Sequence, residues 1–318
     1  MTEDNRFQQI RAIIAEEQNA LPPQRASDMA AAIREKHGDT IQAFLFYGSG
    51  LREAENIEKM LDYYVLARKY TDVHGFGPKA LGSFALPPSV HYLESVDQER
   101  QPMNGKYAIM SVSAFRRRVI GRAREPMIWA RFSQPCLIMS CSNSELRELL
   151  ITDLAKAVIH FIEEVVPMVN GKISPAEFWS RALAESYRTE LRAERPLERA
   201  TEIVERYKPR YDALAQAYFG PVDADGMIAI SAVSSFRKFS CRLKWATRRW
   251  VGKPATSLRV LKAAFTFDGG LDYVLHKLTS HSGKNINFSD TERRHPVLLS
   301  PIIAWKIWRS GALGERHL

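Results

Sequence analysis

The chain has 318 residues, of which 45% are hydrophobic, 10% aromatic and 25% charged, a balance that excludes a disordered chain and gives enough apolar mass for a large core. Its three cysteines, Cys136, Cys141 and Cys241, exclude a disulfide scaffold and match no zinc-ligand spacing. The net charge of +9 is uneven: residues 1–225 carry 29 Lys and Arg against 31 Asp and Glu, whereas residues 226–318 carry 16 against 5.

In chain order, Phe7, Ile10, Ile13 and Ile14 share one face of a helix expected over 5–19. Pro22 and Pro23 break it, and a second helix is expected over 27–37, opened by Ser27 or Asp28 and closed by Gly38. Residues 42–47 read as a buried strand that ends in Gly48, Ser49 and Gly50, and 60–66 as the next strand. Residues 75–90 read as loop, and 107–112 and 135–140 as two further strands. Between those strands lies a cluster of Arg116, Arg117, Arg118, Arg122 and Arg124. The texture then becomes helical, with helices expected over 145–165, 175–192 and 196–219. Gly220, Pro221 and the acidic 223–226 stretch read as a linker, and the basic third carries helical patterns at 257–265, 269–280 and 297–309. No apolar stretch approaches the ~20 residues a membrane span needs, and the first residues lack the apolar core of a signal peptide.

The chemistry concentrates between residues 47 and 92. A strand, a Gly-Ser turn and a second strand bearing a carboxylate is the layout of a nucleotidyltransferase. Gly48 lets backbone approach a triphosphate because no Cβ intervenes. The Ser49 hydroxyl and the amides that follow can hold phosphate oxygens. Asp62, thirteen positions after Ser49, can hold Mg2+ beside those phosphates, and the metal would neutralise charge on departing pyrophosphate. The DNA polymerase beta type of this superfamily carries Asp-x-Asp on that strand, but position 64 here is Tyr64. A serine-hydrolase reading fails because Gly-x-Ser-x-Gly is absent around Ser49.

Phe46 to Gly50, the Met60-Leu61-Asp62 strand, His74 and the His91-Tyr92 pair together resemble the mitochondrial phosphatidate cytidylyltransferases, the translocator assembly and maintenance family. Weaker likeness continues at Gly105-Lys106-Tyr107, at Trp129 to Arg131 with Gln134-Pro135, from Tyr207-Lys208-Pro209 to Gly220, and over 300–311. The family's Gly-rich stretch has no counterpart between Tyr92 and Lys106, as in a divergent, bacterial-type relative. The resemblance implies a CDP-diacylglycerol synthase that uses CTP, phosphatidate and Mg2+ and works peripherally on the inner face of a membrane, from the cytoplasm. It also implies site roles. Gly48, Ser49 and Gly50 would cradle CTP phosphates, and Asp62 would be the principal metal ligand, with Asp72 as a second. His91 would touch phosphate or orient substrate, His74 less so, and Lys106 and Arg131 would neutralise phosphates. The bland alternatives are a tight turn, a solvated carboxylate and a structural histidine.

The expected architecture is α+β: a nucleotidyltransferase domain with a small mixed sheet over 1–142, a mostly helical domain over 143–225, and a basic helical region over 226–318. That last region would dock on an anionic membrane, each basic residue near the surface contributing about 1 kcal/mol. Its helix at 297–309, with Ile302, Ile303, Trp305, Ile307 and Trp308, suits an interface or a core. Two competing readings are a nucleotidyltransferase acting on nucleic acid or another phosphate acceptor, the nucleic acid disfavoured because no aromatic-basic interleaving stands out, and a catalytically degenerate membrane adaptor.

Overall fold

The computed structural model describes residues 2–266, apart from 54, 55, 57, 58, 124 and 191–194, together with positions 289, 291, 306 and 309. The helix expected at 269–280 lies outside the described residues, as does the one at 297–309 except for Lys306 and Arg309.

Helix α1 (Glu3–Glu17) starts at Thr2, whose hydroxyl accepts the Asn5 N–H, and buries Ile10 and Ile14. Helix α2 (Gln24–His37) begins earlier than Ser27 or Asp28 would set it, with Pro23 at the cap. Pro23 has no N–H to lose and its fixed φ suits a helix start. Gly38, at φ +61°, ends the helix.

Strands β1 (Ile41–Tyr47) and β2 (Leu61–Ala67) flank the one-turn helix α3 (Ser49–Arg52). Helices α4 (Tyr70–His74) and α5 (Pro78–Ala85) follow, then strands β3 (Ser89–Val96) and β4 (Pro102–Ser111). The 75–90 segment is therefore not the expected loop. Pro78 opens a helix there, and Ser89–Val96 is drawn into an edge strand by antiparallel pairing with β4. After helices α6 (Val112–Val119) and α7 (Trp129–Phe132), strand β5 (Cys136–Cys141) completes the sheet.

The sheet order is β3-β4-β2-β1-β5, with β2 and β4 parallel and every other pair antiparallel. β2 is a nearly unbroken apolar run because both faces of the sheet are covered. Alternation sends Tyr63 and Val65 to the side of α2, and Tyr64 and Leu66 to the side of α1, α6 and α7.

Helix α8 (Ser144–Val165), capped by Asn143, packs on that second face. Helix α9 (Pro175–Tyr187) ends before 192. The single helix expected over 196–219 is two, α10 (Pro196–Arg206) and α11 (Lys208–Phe219). Pro209 explains the break, because its ring would collide with the carbonyl four residues back in a continuous helix. Strand β6 (Gly171–Ile173) pairs antiparallel with β7 (Ile228–Ile230). The 223–226 stretch is the turn leading into β7: the Asp223 carboxylate accepts the Asp225 and Met227 amides and takes Lys172 at 2.6 Å. Helix α12 (Ser235–Thr266) starts well ahead of 257. One hydrophobic cluster runs from Ile10 through Trp129 and Trp179 to Trp245. Among the described residues no helix is long and apolar enough to cross a membrane.

Candidate functional site

Register builds the site. Tyr47 at the end of β1 stands opposite Asp62 at the start of β2, and Asp62 stands beside Lys106 of β4. Adjacent residues in register share a face, so three neighbouring strands present Tyr47, Asp62 and Lys106 in one row on the Tyr64 side. The Lys106 ammonium lies 3.9 Å from the Asp62 carboxylate, a loose pair between partly exposed groups that contributes little to stability.

The chain leaves β1 through Gly48 at φ +83°, and a Cβ there would stand 3.1 Å from Asp62 Oδ2. Only glycine combines that backbone angle with that approach. Ser49 follows on the cleft wall. Gly50 serves packing instead, since a Cβ there would meet the Met60 carbonyl and the Phe46 ring, both at 3.2 Å. It seats the turn against β2 and does not line the cleft.

Arg131 projects from α7. Its guanidinium donates to the Tyr64 hydroxyl at 3.3 Å, lies 3.5 Å from Glu190 and sits over the Tyr47 ring. Burial alone would pull the guanidinium pKa down, but the Glu190 and Asp62 carboxylates and the hydrogen bond to the Tyr64 hydroxyl outweigh it and hold the cation charged. Burial pushes the Tyr47 and Tyr64 phenols up, against the pull of Arg131, so both stay protonated.

The opposite wall comes from the α7–β5 loop and from the helical part of the chain. Gln134, Pro135, Tyr187, Arg199, Ile203 and Tyr207 close a cleft of about 210 Å3 with the strand residues. The Tyr187 hydroxyl donates to Gln134 at 2.9 Å. Tyr187, Arg199 and Ile203 were given no role by the sequence. Their one legible signal is spacing: Arg199, Ile203 and Tyr207 recur every fourth residue, one stripe of α10 continued to its cap.

The structure thus brings Gly48, Ser49, Asp62, Lys106 and Arg131 together. It separates others. His91 stands opposite Tyr107, not Lys106, and stacks on the Tyr107 ring at 5.2 Å and on His74 at 5.7 Å. His37 Nε2 joins the Tyr107 hydroxyl at 3.0 Å. His74 and His91 therefore belong to the α2 side of the sheet, away from Asp62. Asp72 lies on α4, past the far end of β2, and pairs with Arg68 at 3.3 Å. In the arginine cluster, Arg116 pairs with the buried Asp153 at 2.6 Å, while Arg117 and Arg122 are exposed.

Asp62 is the single carboxylate among the described residues lining the cleft. No group of three His, Cys, Asp or Glu among the described residues is arranged to hold a metal. The donors present, one carboxylate and the Ser49 hydroxyl, are hard oxygens. They fit Mg2+ in the manner in which it binds through one or two carboxylates and completes its shell with substrate phosphates and water. They do not form an all-protein cage. No protein-family model matches this chain, and no curated protein matches it.

Proposed function

We propose that this cleft transfers a nucleotidyl group from CTP to phosphatidate, giving CDP-diacylglycerol and pyrophosphate. The observation that carries the reading is the Gly48-Ser49 turn set directly against the Asp62 carboxylate, with Lys106 and Arg131 beside it. A carboxylate ringed by cations, under a turn without a side chain, suits a phosphate chain better than it suits a neutral substrate. The nucleotidyltransferase assignment, and the lipid acceptor in particular, rest on the family resemblance of residues 46–92.

In this reading a phosphatidate oxygen attacks the α-phosphorus of CTP, a new P–O bond forms, and the bond to the β-phosphate oxygen breaks as pyrophosphate leaves. Gly48 and Ser49 bind the phosphate chain, and the Ser49 hydroxyl donates to one of its oxygens. Lys106 and Arg131 neutralise the charge that accumulates as pyrophosphate departs. Mg2+ held by Asp62 would add further charge neutralisation there. The cleft is smaller than the about 300–1,000 Å3 of pockets that enclose whole ligands, so acyl chains would stay outside, in the bilayer.

A second reading, a nucleotide-binding adaptor without turnover, is favoured by the lone carboxylate. The two part in one assay. The protein is incubated with Mg2+, phosphatidate liposomes and each nucleoside triphosphate, and pyrophosphate is measured. Release with CTP alone, dependent on phosphatidate, is the expected result. Asp62→Asn should remove the carboxylate that would hold Mg2+ and lower release by about a hundred- to a thousandfold, with an unchanged circular-dichroism spectrum. CTP binding with no release would establish the adaptor, and release that survives Asp62→Asn would overturn the site.

A further inference from the structure

Helices α6 and α8 pack side by side, and a second cleft, of about 790 Å3, opens where they meet the strand ends. Two contacts set their register. Arg116 of α6 donates to the buried Asp153 of α8 at 2.6 Å. Gly121, just past α6, lies so close to the His160 ring that a Cβ would overlap it. Lys156 falls between Asp153 and His160 on α8, so it shares one end of the cleft with Arg117 and Arg122.

This cleft stands apart from the candidate site. Its wall includes Gln42 near the start of β1, Arg68 just after β2 and Ser142 just after β5. Tyr47, Asp62 and Pro135 mark the other ends of the same strands. Five residue steps along β1 separate Gln42 from Tyr47, about 17 Å.

Five cationic side chains line the second cleft, Arg68, Arg116, Arg117, Arg122 and Lys156, against two carboxylates, Asp153 and Glu145. Arg116 occupies Asp153, and Arg68 takes Asp72 at 3.3 Å. Glu145 lies eleven positions before Lys156, about 16 Å away along α8. Arg117, Arg122 and Lys156 are exposed and have no acidic partner among the described residues. Three like charges thus converge from α6, the turn after it and α8, and they repel one another uncompensated.

We propose that this cleft binds a small anion carrying two or more phosphates, held by Arg117, Arg122 and Lys156. Guanidinium forks match phosphate oxygens in pairs. The volume falls within the about 300–1,000 Å3 of clefts that take small ligands. Other polyanions fit less well. No aromatic side chain lines the cleft, so a nucleic-acid strand finds no stacking platform. None of the exposed large apolar side chains among the described residues lies there, so a bilayer gains no inserted anchor. The site stands on α6 and α8 and does not rest on the proposed cytidylyl transfer.

Inorganic tripolyphosphate is titrated into the full chain by calorimetry at near-physiological salt, and CTP with Mg2+ is titrated separately. Tripolyphosphate binding that sulfate competes for poorly is expected. The exposed double variant Arg117→Gln/Arg122→Gln should bind it at least about tenfold more weakly, with CTP binding and melting temperature unchanged. Lys106→Gln, in the other cleft, should leave this binding in place. Loss with Lys106→Gln but not with the double variant would put the phosphates in the candidate site and overturn the proposal. So would a wild-type chain that ignores tripolyphosphate or yields it equally to sulfate, the mark of a loose counter-ion atmosphere. Displacement by phosphatidylglycerol vesicles or a single-stranded oligonucleotide at lower phosphate concentration would overturn it in favour of those ligands. Tripolyphosphate binding at Arg117 and Arg122 without any CTP binding would leave this site standing and remove the catalytic reading.

Discussion

Gly48 is the residue on which the site turns, because it satisfies a backbone and a packing demand at once. Its φ of +83° lies in the left-handed region, and its missing Cβ leaves 3.1 Å to Asp62 Oδ2. Gly48→Ala should cost about 1–2 kcal/mol from the backbone alone and push against the carboxylate. We expect a modest fall in melting temperature together with a weaker CTP affinity, read by calorimetry, because the added Cβ occupies the space in which backbone would approach the phosphate chain. A fall in stability with unchanged affinity would show that the turn holds no phosphate. Gly48, Ser49 and Asp62 were legible from the turn and the strand that follows it. Lys106 and Arg131 were legible from the resemblance. His91 was not correctly placed, since one step of register along β3 decides which face of the sheet a side chain joins.

Among the elements, α10, α11 and α12 depart most from the pattern the sequence suggests. Hydrophobic periodicity runs through 196–219 almost without interruption, and Pro209 alone signals the break that puts Tyr207 at the cleft. For α12, apolar residues on both faces blur the single amphipathic stripe on which a helix assignment depends. Gly252 shows how closely this helix is packed. A Cβ at that position would run into the Thr189 carbonyl, backbone that cannot swing aside as a side chain would. Gly252→Ala should therefore destabilise the chain by about 1–3 kcal/mol, although alanine is the better helix former. Chemical denaturation measures it; a neutral or stabilising result would mean that α12 lifts from the turn after α9 at that point.

Across the whole molecule, two half-buried histidines are held toward the neutral form. The His160 ring meets Trp129 edge-on at 4.9 Å, and its Nε2 is buried without a hydrogen-bond partner. Burial lowers its pKa from the usual 6.5, with Glu164 opposing and Arg248 and Lys244 adding to the effect. His37 is lowered in the same direction by burial and by Lys36. The unfolded chain thus binds these protons more readily than the folded one, so stability is fully present above pH ~6.5 and is lost as the pH falls from there. Below that window Glu164, held low by Arg248 and Lys244 against its burial, adds to the loss, while Glu163, raised by burial, opposes it. Melting temperature should fall between about pH 7 and pH 5, and His160→Gln should flatten the fall. An equally steep profile in the variant would assign the effect elsewhere.

The amino-acid sequence by itself determined the α+β class, the apolar strands β1, β2 and β5, the long helix α8 and the Gly-Ser turn beside an aspartate. Each depends on local periodicity, on backbone freedom or on the residue types a turn requires, and a short window contains all of these. Only the tertiary structure decided which residues share the cleft. Lys106 reaches Asp62 through a parallel pairing of β2 with β4, and Arg199 and Tyr187 come to line the cleft through helix packing. His91 and Asp72, close to Asp62 along the chain, were carried to another face and another end of the sheet. Strand register and helix packing are set by distant parts of the chain that bury apolar surface together, and no local pattern encodes that.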